Sequence, residues 1–131
     1  MKKIVSMLSI LLFFTVTIFA QTTVSIPDTT STDSTAIVIP VNSGALDSVA
    51  SISIFISYDK SVLTFNGIVD NPFAGSNFLV NDNNGVISIS WFSLTPVKIT
   101  NKLFALDFFY KTGSSALTFT GTNQITNLTQ P

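Results

Sequence analysis

Residues 51–58 alternate without a break: Ile52, Ile54, Ile56 and Tyr58 fall on one side of a period-two ladder, Ser51, Ser53, Phe55 and Ser57 on the other. One face is built for a core. The other is nearly all serine but carries Phe55, an aromatic that a merely solvated strand does not need. The pattern returns at residues 86–92, where Ile87, Ile89 and Trp91 oppose Val86, Ser88, Ser90 and Phe92. Between and around these two segments the chain reads as strands separated by turns, with no helix after the N-terminal stretch. Residues 22–26 form a short first candidate and 27–35 a Thr/Ser/Asp loop. Residues 36–41 form a strand in which Pro40 suits an edge or a terminus, and Asn42, Ser43 and Gly44 make a turn. The strand at 49–58 stops at Asp59, whose carboxylate is placed to accept backbone N–H groups of a short turn. Residues 62–68 resume extended structure, and 70–77 form a loop broken by Pro72 and Gly75. A short strand at 78–80 leads into residues 81–85, where Asn84-Gly85 is a strong hairpin signal because it tolerates positive φ. After 86–92, a connection at 93–101 contains Pro96. Residues 102–111 then form a long strand with Phe104, Leu106, Phe108 and Tyr110 inward, and 116–120 a last one with Leu117 and Phe119 inward and Thr118 and Thr120 outward. Seven or eight strands with turns about every ten residues predict an all-β antiparallel sandwich.

The N-terminus follows a different rule. Met1-Lys2-Lys3 is a basic start, residues 4–19 are nearly unbroken apolar sequence, and Ile18-Phe19-Ala20 precedes Gln21 as a cleavage site. Residues 1–20 read as a secretory signal peptide. The competing reading is a membrane anchor, against which stand the shortness of the run and the lack of a charged stop on its far side. No cysteine follows the run, which excludes a lipidated anchor. Residues 21–131 then make one domain, secreted or held at the cell surface.

Charge and residue types narrow the chemistry. The 131-residue chain is 10% charged, and after residue 20 it carries four lysines (60, 98, 102, 111) and seven aspartates, with no Glu, Arg, His or Cys anywhere. Scattered lysines give nucleic acid no phosphate-neutralising cluster. Without cysteine, an exported domain rests on its core alone. Acid–base and nucleophilic catalysis lack their usual groups, and no cofactor is expected. Asp82-Asn83-Asn84 offers oxygen ligands for calcium, but one carboxylate in a five-residue turn is a thin site, and a turn accounts for the composition.

The residues also carry a resemblance. Ile37-Val38-Ile39-Pro40-Val41, the run from Ser53 through Ser57-Tyr58-Asp59 to Val62-Leu63, the run from Asn83 to Trp91, and Lys102-Leu103-Phe104-Ala105-Leu106-Asp107-Phe108-Phe109-Tyr110-Lys111 follow one another as in a bacterial cohesin domain. The match spans residues 24–120, and Ser57-Tyr58-Asp59 followed by Val62-Leu63 is its most specific part. It implies a jelly-roll β-sandwich of about eight to nine strands with a non-catalytic role: holding dockerins, small calcium-bearing helical modules attached to carbohydrate-active enzymes. Carried over by position, the docking face would include Ser51, Ser53 and Phe55, then Asn81, Ser88, Ser90, Phe92 and Ser93 from the hairpin, and Thr118 from the last strand.

The departures are specific. Cohesins often place Asp or Asn at the positions of Ser51 and Ser53 and an acidic residue near Ser93; serine at all three removes charged anchors and leaves specificity to hydroxyls around Phe55 and Phe92. The family also closes its sandwich with a strand beyond the match to Thr120, whereas only residues 123–128 precede the terminal segment, so the natural protein is expected to continue. Three alternatives stay open. One is that a loop or a further segment, instead of a partner, covers Phe55 and Phe92. Another is a polysaccharide-binding module, which needs a row of exposed Trp or Tyr, whereas Trp91, Tyr58 and Tyr110 all fall on inward faces. The third is a structural sandwich of a surface adhesin.

Overall fold

The computed structural model describes residues 23–73, 75 and 77–128. The expected signal peptide at 1–20 lies outside these residues. Eight strands follow in order: β1 (Thr35–Asn42), β2 (Leu46–Ser57), β3 (Leu63–Val69), β4 (Leu79–Asn83), β5 (Val86–Ile99), β6 (Lys102–Tyr110), β7 (Thr118–Phe119) and β8 (Gln124–Asn127). All pairings are antiparallel. One sheet has the order β1-β6-β3; the other runs β4-β5-β2-β7, with β8 also paired to β2. The predicted all-β sandwich is therefore present, as two layers closing on one core.

That core is where the inward sets of the alternating strands meet. Ile52, Ile54 and Ile56 of β2 and Ile87, Ile89 and Trp91 of β5 are at most 3% exposed, and they face Ile39, Val41, Phe104, Leu106 and Phe108 of the other sheet, at most 5% exposed. Each such side chain contributes ~1.5–3 kcal/mol by leaving water. Phe108 anchors one end: Tyr58 and Phe65 meet it edge-on at ring-centre distances of 5.3 and 5.5 Å. At the other end Phe73, 2% exposed, lies 4.7 Å from the Trp91 ring and stacks with Phe78 at 6.2 Å. Residues 70–73 belong to no strand, as the breaker Pro72 predicts, yet they plug the sandwich with an aromatic.

The β4–β5 hairpin turns on Asn84 and Gly85 alone, with φ of 52° and 89°, the positive pair that matches strand twist in a two-residue turn. Gly85 is required twice over, by its positive φ and because a Cβ there would stand 2.9 Å from the Tyr58 carbonyl oxygen; the backbones meet this closely because the Gly85 carbonyl accepts the Tyr58 N–H at 2.9 Å. The turn after β2 is held as expected, the Asp59 carboxylate accepting the Ser61 N–H at 2.8 Å and the Ser61 hydroxyl at 2.6 Å.

Four expectations are corrected. Of the strand expected at 22–26, the described residues 23–26 form no ladder; Ser25 makes an isolated bridge to Asn42, while Val24 and Ile26 pack on the core. The strand expected at 78–80 starts at Leu79 and continues to Asn83, so the turn is shorter than the five residues read as turn. Residues 93–101 are not a connection, because β5 continues to Ile99. Pro96 is tolerated since residues 93–96 fall in an irregularity where β5 passes from Ser51↔Phe92 to Val49↔Val97, and β4 does not reach that far; no ladder bond needs its missing N–H. The strand at 116–120 shrinks to Thr118–Phe119, but the chain returns to the same side of β2 as β8. Across the gap Thr120 donates its N–H to the Phe55 carbonyl at 3.0 Å, and the Asn123 side-chain oxygen accepts the Phe55 N–H at 2.7 Å. A side chain thus replaces the backbone acceptor that the bulge removes.

Candidate functional site

The solvent side of the five-stranded sheet gathers nearly all of the residues expected to form a binding face. Strand pairing sets them in rows: Ser51 lies beside Phe92 and Thr126, Ser53 beside Ser90 and Gln124, Phe55 beside Ser88, Ser57 beside Val86 and Thr118, and Asn81 pairs with Ser88 from β4. The members on β2 and β5 alternate with buried isoleucines and Trp91, so the core pattern itself forces them outward, and strand pairing sets Asn81 and Thr118 beside them. Ser51, Ser53, Phe55, Asn81, Ser88, Ser90, Phe92 and Thr118 therefore share one surface. Ser93 does not join it. It continues the step of Ile87, Ile89 and Trp91, is half-buried, and its hydroxyl accepts the Thr95 N–H at 3.0 Å; the next outward position on β5 is Leu94.

Hydrogen bonding divides the face. Ser51 donates to the Thr126 hydroxyl at 2.8 Å, and Ser57 and Ser88 reach backbone carbonyls at 3.3 and 3.4 Å. Among the described residues no side-chain hydrogen bond engages the Ser53, Ser90 or Thr118 hydroxyls or the Asn81 amide, which leaves them available to a partner. The two aromatics differ as well. Phe55 is half-buried, its ring within 4 Å of where a Gly121 Cβ would stand, so the bulge between β7 and β8 covers part of it. Phe92 is 63% exposed. Leu79 and Leu94, 62% and 101% exposed, were not singled out by the serine-and-aromatic pattern; their signal was an apolar residue at an outward step, which alternation alone makes visible.

The perturbed titrations lie at the rim. Partial burial, then the hydrogen bond to Asp82 at 2.5 Å and its negative charge, push Tyr58 up to about 12. The Ser61 hydroxyl and N–H hold Asp59 below the usual carboxylate range, and burial, then Asp33, raises Tyr110, whose hydroxyl donates to the Gly113 carbonyl. Among the described residues no three metal-ligating side chains converge, and Asp82 is engaged by Tyr58. A cleft of about 520 Å³ opens on another side, between residues 26–31, β1 and residues 113–117; it holds no cluster of catalytic groups.

No family model matches the chain, and no curated protein matches it in sequence. Solved structures do. CaCohA2 from Clostridium acetobutylicum, in solution, superposes with a TM-score of 0.69 at 24% identity over 79% of this chain and 77% of that one. In a crystal complex of CaCohA2 with CaDoc0917 the values are 0.67, 24%, 79% and 85%. The sixth cohesin of scaffoldin B from Acetivibrio cellulolyticus, in complex with a Cel5 dockerin, gives 0.69 at 16% identity over 81% and 86%. With its two antiparallel sheets and helix-free described core, this chain is a jelly-roll β-sandwich with the cohesin fold.

Proposed function

We propose that this protein is a secreted, non-catalytic docking module that holds the dockerin domain of a carbohydrate-active enzyme on the outward face of its five-stranded sheet. The observation that carries the reading is convergence: eight outward residues singled out from a strand pattern and a family resemblance share one uncharged surface, on a fold whose solved relatives include cohesins in complex with dockerins. Serine in place of charged anchors shifts recognition to neutral hydrogen bonds from Ser53, Ser90, Asn81 and Thr118 around Phe92. A polysaccharide platform has less support, because Trp91 is 3% exposed beneath Phe73 and the Tyr58 and Tyr110 hydroxyls are tied down at strand ends. Secretion rests on the apolar N-terminal segment.

Pull-down of calcium-loaded dockerins encoded in the same genome tests the proposal. At least one should be retained, and Phe55→Ala with Phe92→Ala should weaken that retention without unfolding the domain. Recovery of none, together with retention on cellulose or xylan gels, would replace this reading with the polysaccharide one.

A further inference from the structure

The docking face has a corner that its serines do not explain. Leu79, Phe92 and Leu94 stand 62%, 63% and 101% exposed at the β4–β5 side. Leu79 pairs with Ser90, which makes Phe92 its diagonal neighbour at a distance of roughly 7–8 Å, within reach of an aromatic ring; Leu94 is the next outward step. The fold gains little from these apolar groups where they are, since exposed positions on a sheet accept polar residues at no cost to the core. No outward position from Leu79 across to Thr126 is ionisable. The nearest charges bound the surface: Lys60 reaches the hairpin at Asn84, Asp82 takes the Tyr58 hydroxyl, and Asp47 and Lys98 lie beyond the irregularity at Val49.

Resting on the docking reading above, we infer that this face takes an uncharged helix of the dockerin, with Leu79, Phe92 and Leu94 as its apolar anchor. Strand spacing makes the surface about 14 Å wide from β4 to the β7–β8 edge, enough for one helix of about 10–12 Å diameter. The centre of a sheet face offers no free backbone groups, so recognition falls to side chains. An aliphatic helix stripe flanked by hydroxyls or amides satisfies both the anchor and the serine rows. A carboxylate or ammonium pressed against this surface would be desolvated without a counter-charge, which disfavours partners with charged recognition faces.

The test measures affinity of each calcium-loaded dockerin from the same genome for the wild-type domain, Leu79→Ser and Leu94→Ser, at 0.05 M and 0.5 M NaCl. Both leucines are exposed, so the variants should keep the wild-type melting temperature. The expected result is binding that changes less than about threefold with salt and falls about tenfold or more in either variant, as for an apolar hot spot. Binding that drops steeply with salt, or that ignores both substitutions, overturns the anchor while leaving the docking function standing. Absence of binding by any dockerin overturns the docking reading and the anchor with it.

Discussion

On β2 and β5 one backbone carries two surfaces under opposite constraints. Ile52, Ile54, Ile56, Ile87 and Ile89 are 0–2% exposed, and every methyl there is held by close packing. Their sequence neighbours Ser51, Ser53, Ser88 and Ser90 lie outside that core, Ser51 bonded to Thr126 and Ser88 to the Asn81 carbonyl, and Phe92 and Leu94 reach well into solvent. The inner surface fixes strand register, because a one-residue slip would turn the isoleucines outward. The outer surface is free of that duty. Its composition is therefore the more informative about a partner, and the docking proposal rests on that outer surface.

That contrast breaks most severely from the inside. Phe108→Ala removes the ring on which Tyr58 and Phe65 close edge-on and should cost about 3–5 kcal/mol, read as a lower urea midpoint; a loss under 1 kcal/mol would mean that this end of the sandwich is not closely packed. Gly85→Ala should cost about 1–3 kcal/mol, from positive φ at an L-residue and from a Cβ driven against the Tyr58 carbonyl. Its amide spectrum should change at the hairpin and Tyr58 more than in β1. Tyr58→Phe is the smallest, about 1 kcal/mol for one hydrogen bond, and its pH signature is specific. Tyr58 titrates at about 12 in the fold against an ordinary value of 10.0, so its protonated form adds stability that is complete below pH 10 and is lost between pH 10 and 12. The variant should show a shallower alkaline decline; Tyr110, also raised, keeps its own share.

Strict alternation made the two surfaces legible in the sequence, and the Asn84-Gly85 pair made the hairpin legible, because in both cases local residues dictate the geometry. Three features were hidden by non-local causes. Pro96 looked like a breaker, and only the absence of β4 beside it, together with the bulge opposite Ala50, lets β5 run on to Ile99. Phe73 is a single aromatic in a polar loop, without a period to announce that it caps Trp91. The last strand was cut short because Gly121, at a φ of 66°, starts a bulge whose repair by Asn123 depends on a strand nearly seventy residues earlier. Within the site, alternation placed Ser51, Ser53, Phe55, Ser88, Ser90 and Phe92 on one surface; Ser93 was carried over by position against its own alternation step, and that step predicted its departure.

The central claim is that the outward face of the β4-β5-β2-β7 sheet is the docking surface. Amide chemical-shift mapping of the full domain titrated with a calcium-loaded dockerin from the same genome tests it most directly. The largest shifts should fall on Ser51, Ser53, Asn81, Ser88, Ser90, Phe92 and Leu94, with β1, β3 and β6 quiet. Shifts concentrated on the three-stranded sheet, or spread along the cleft between β1 and residues 113–117, would contradict it.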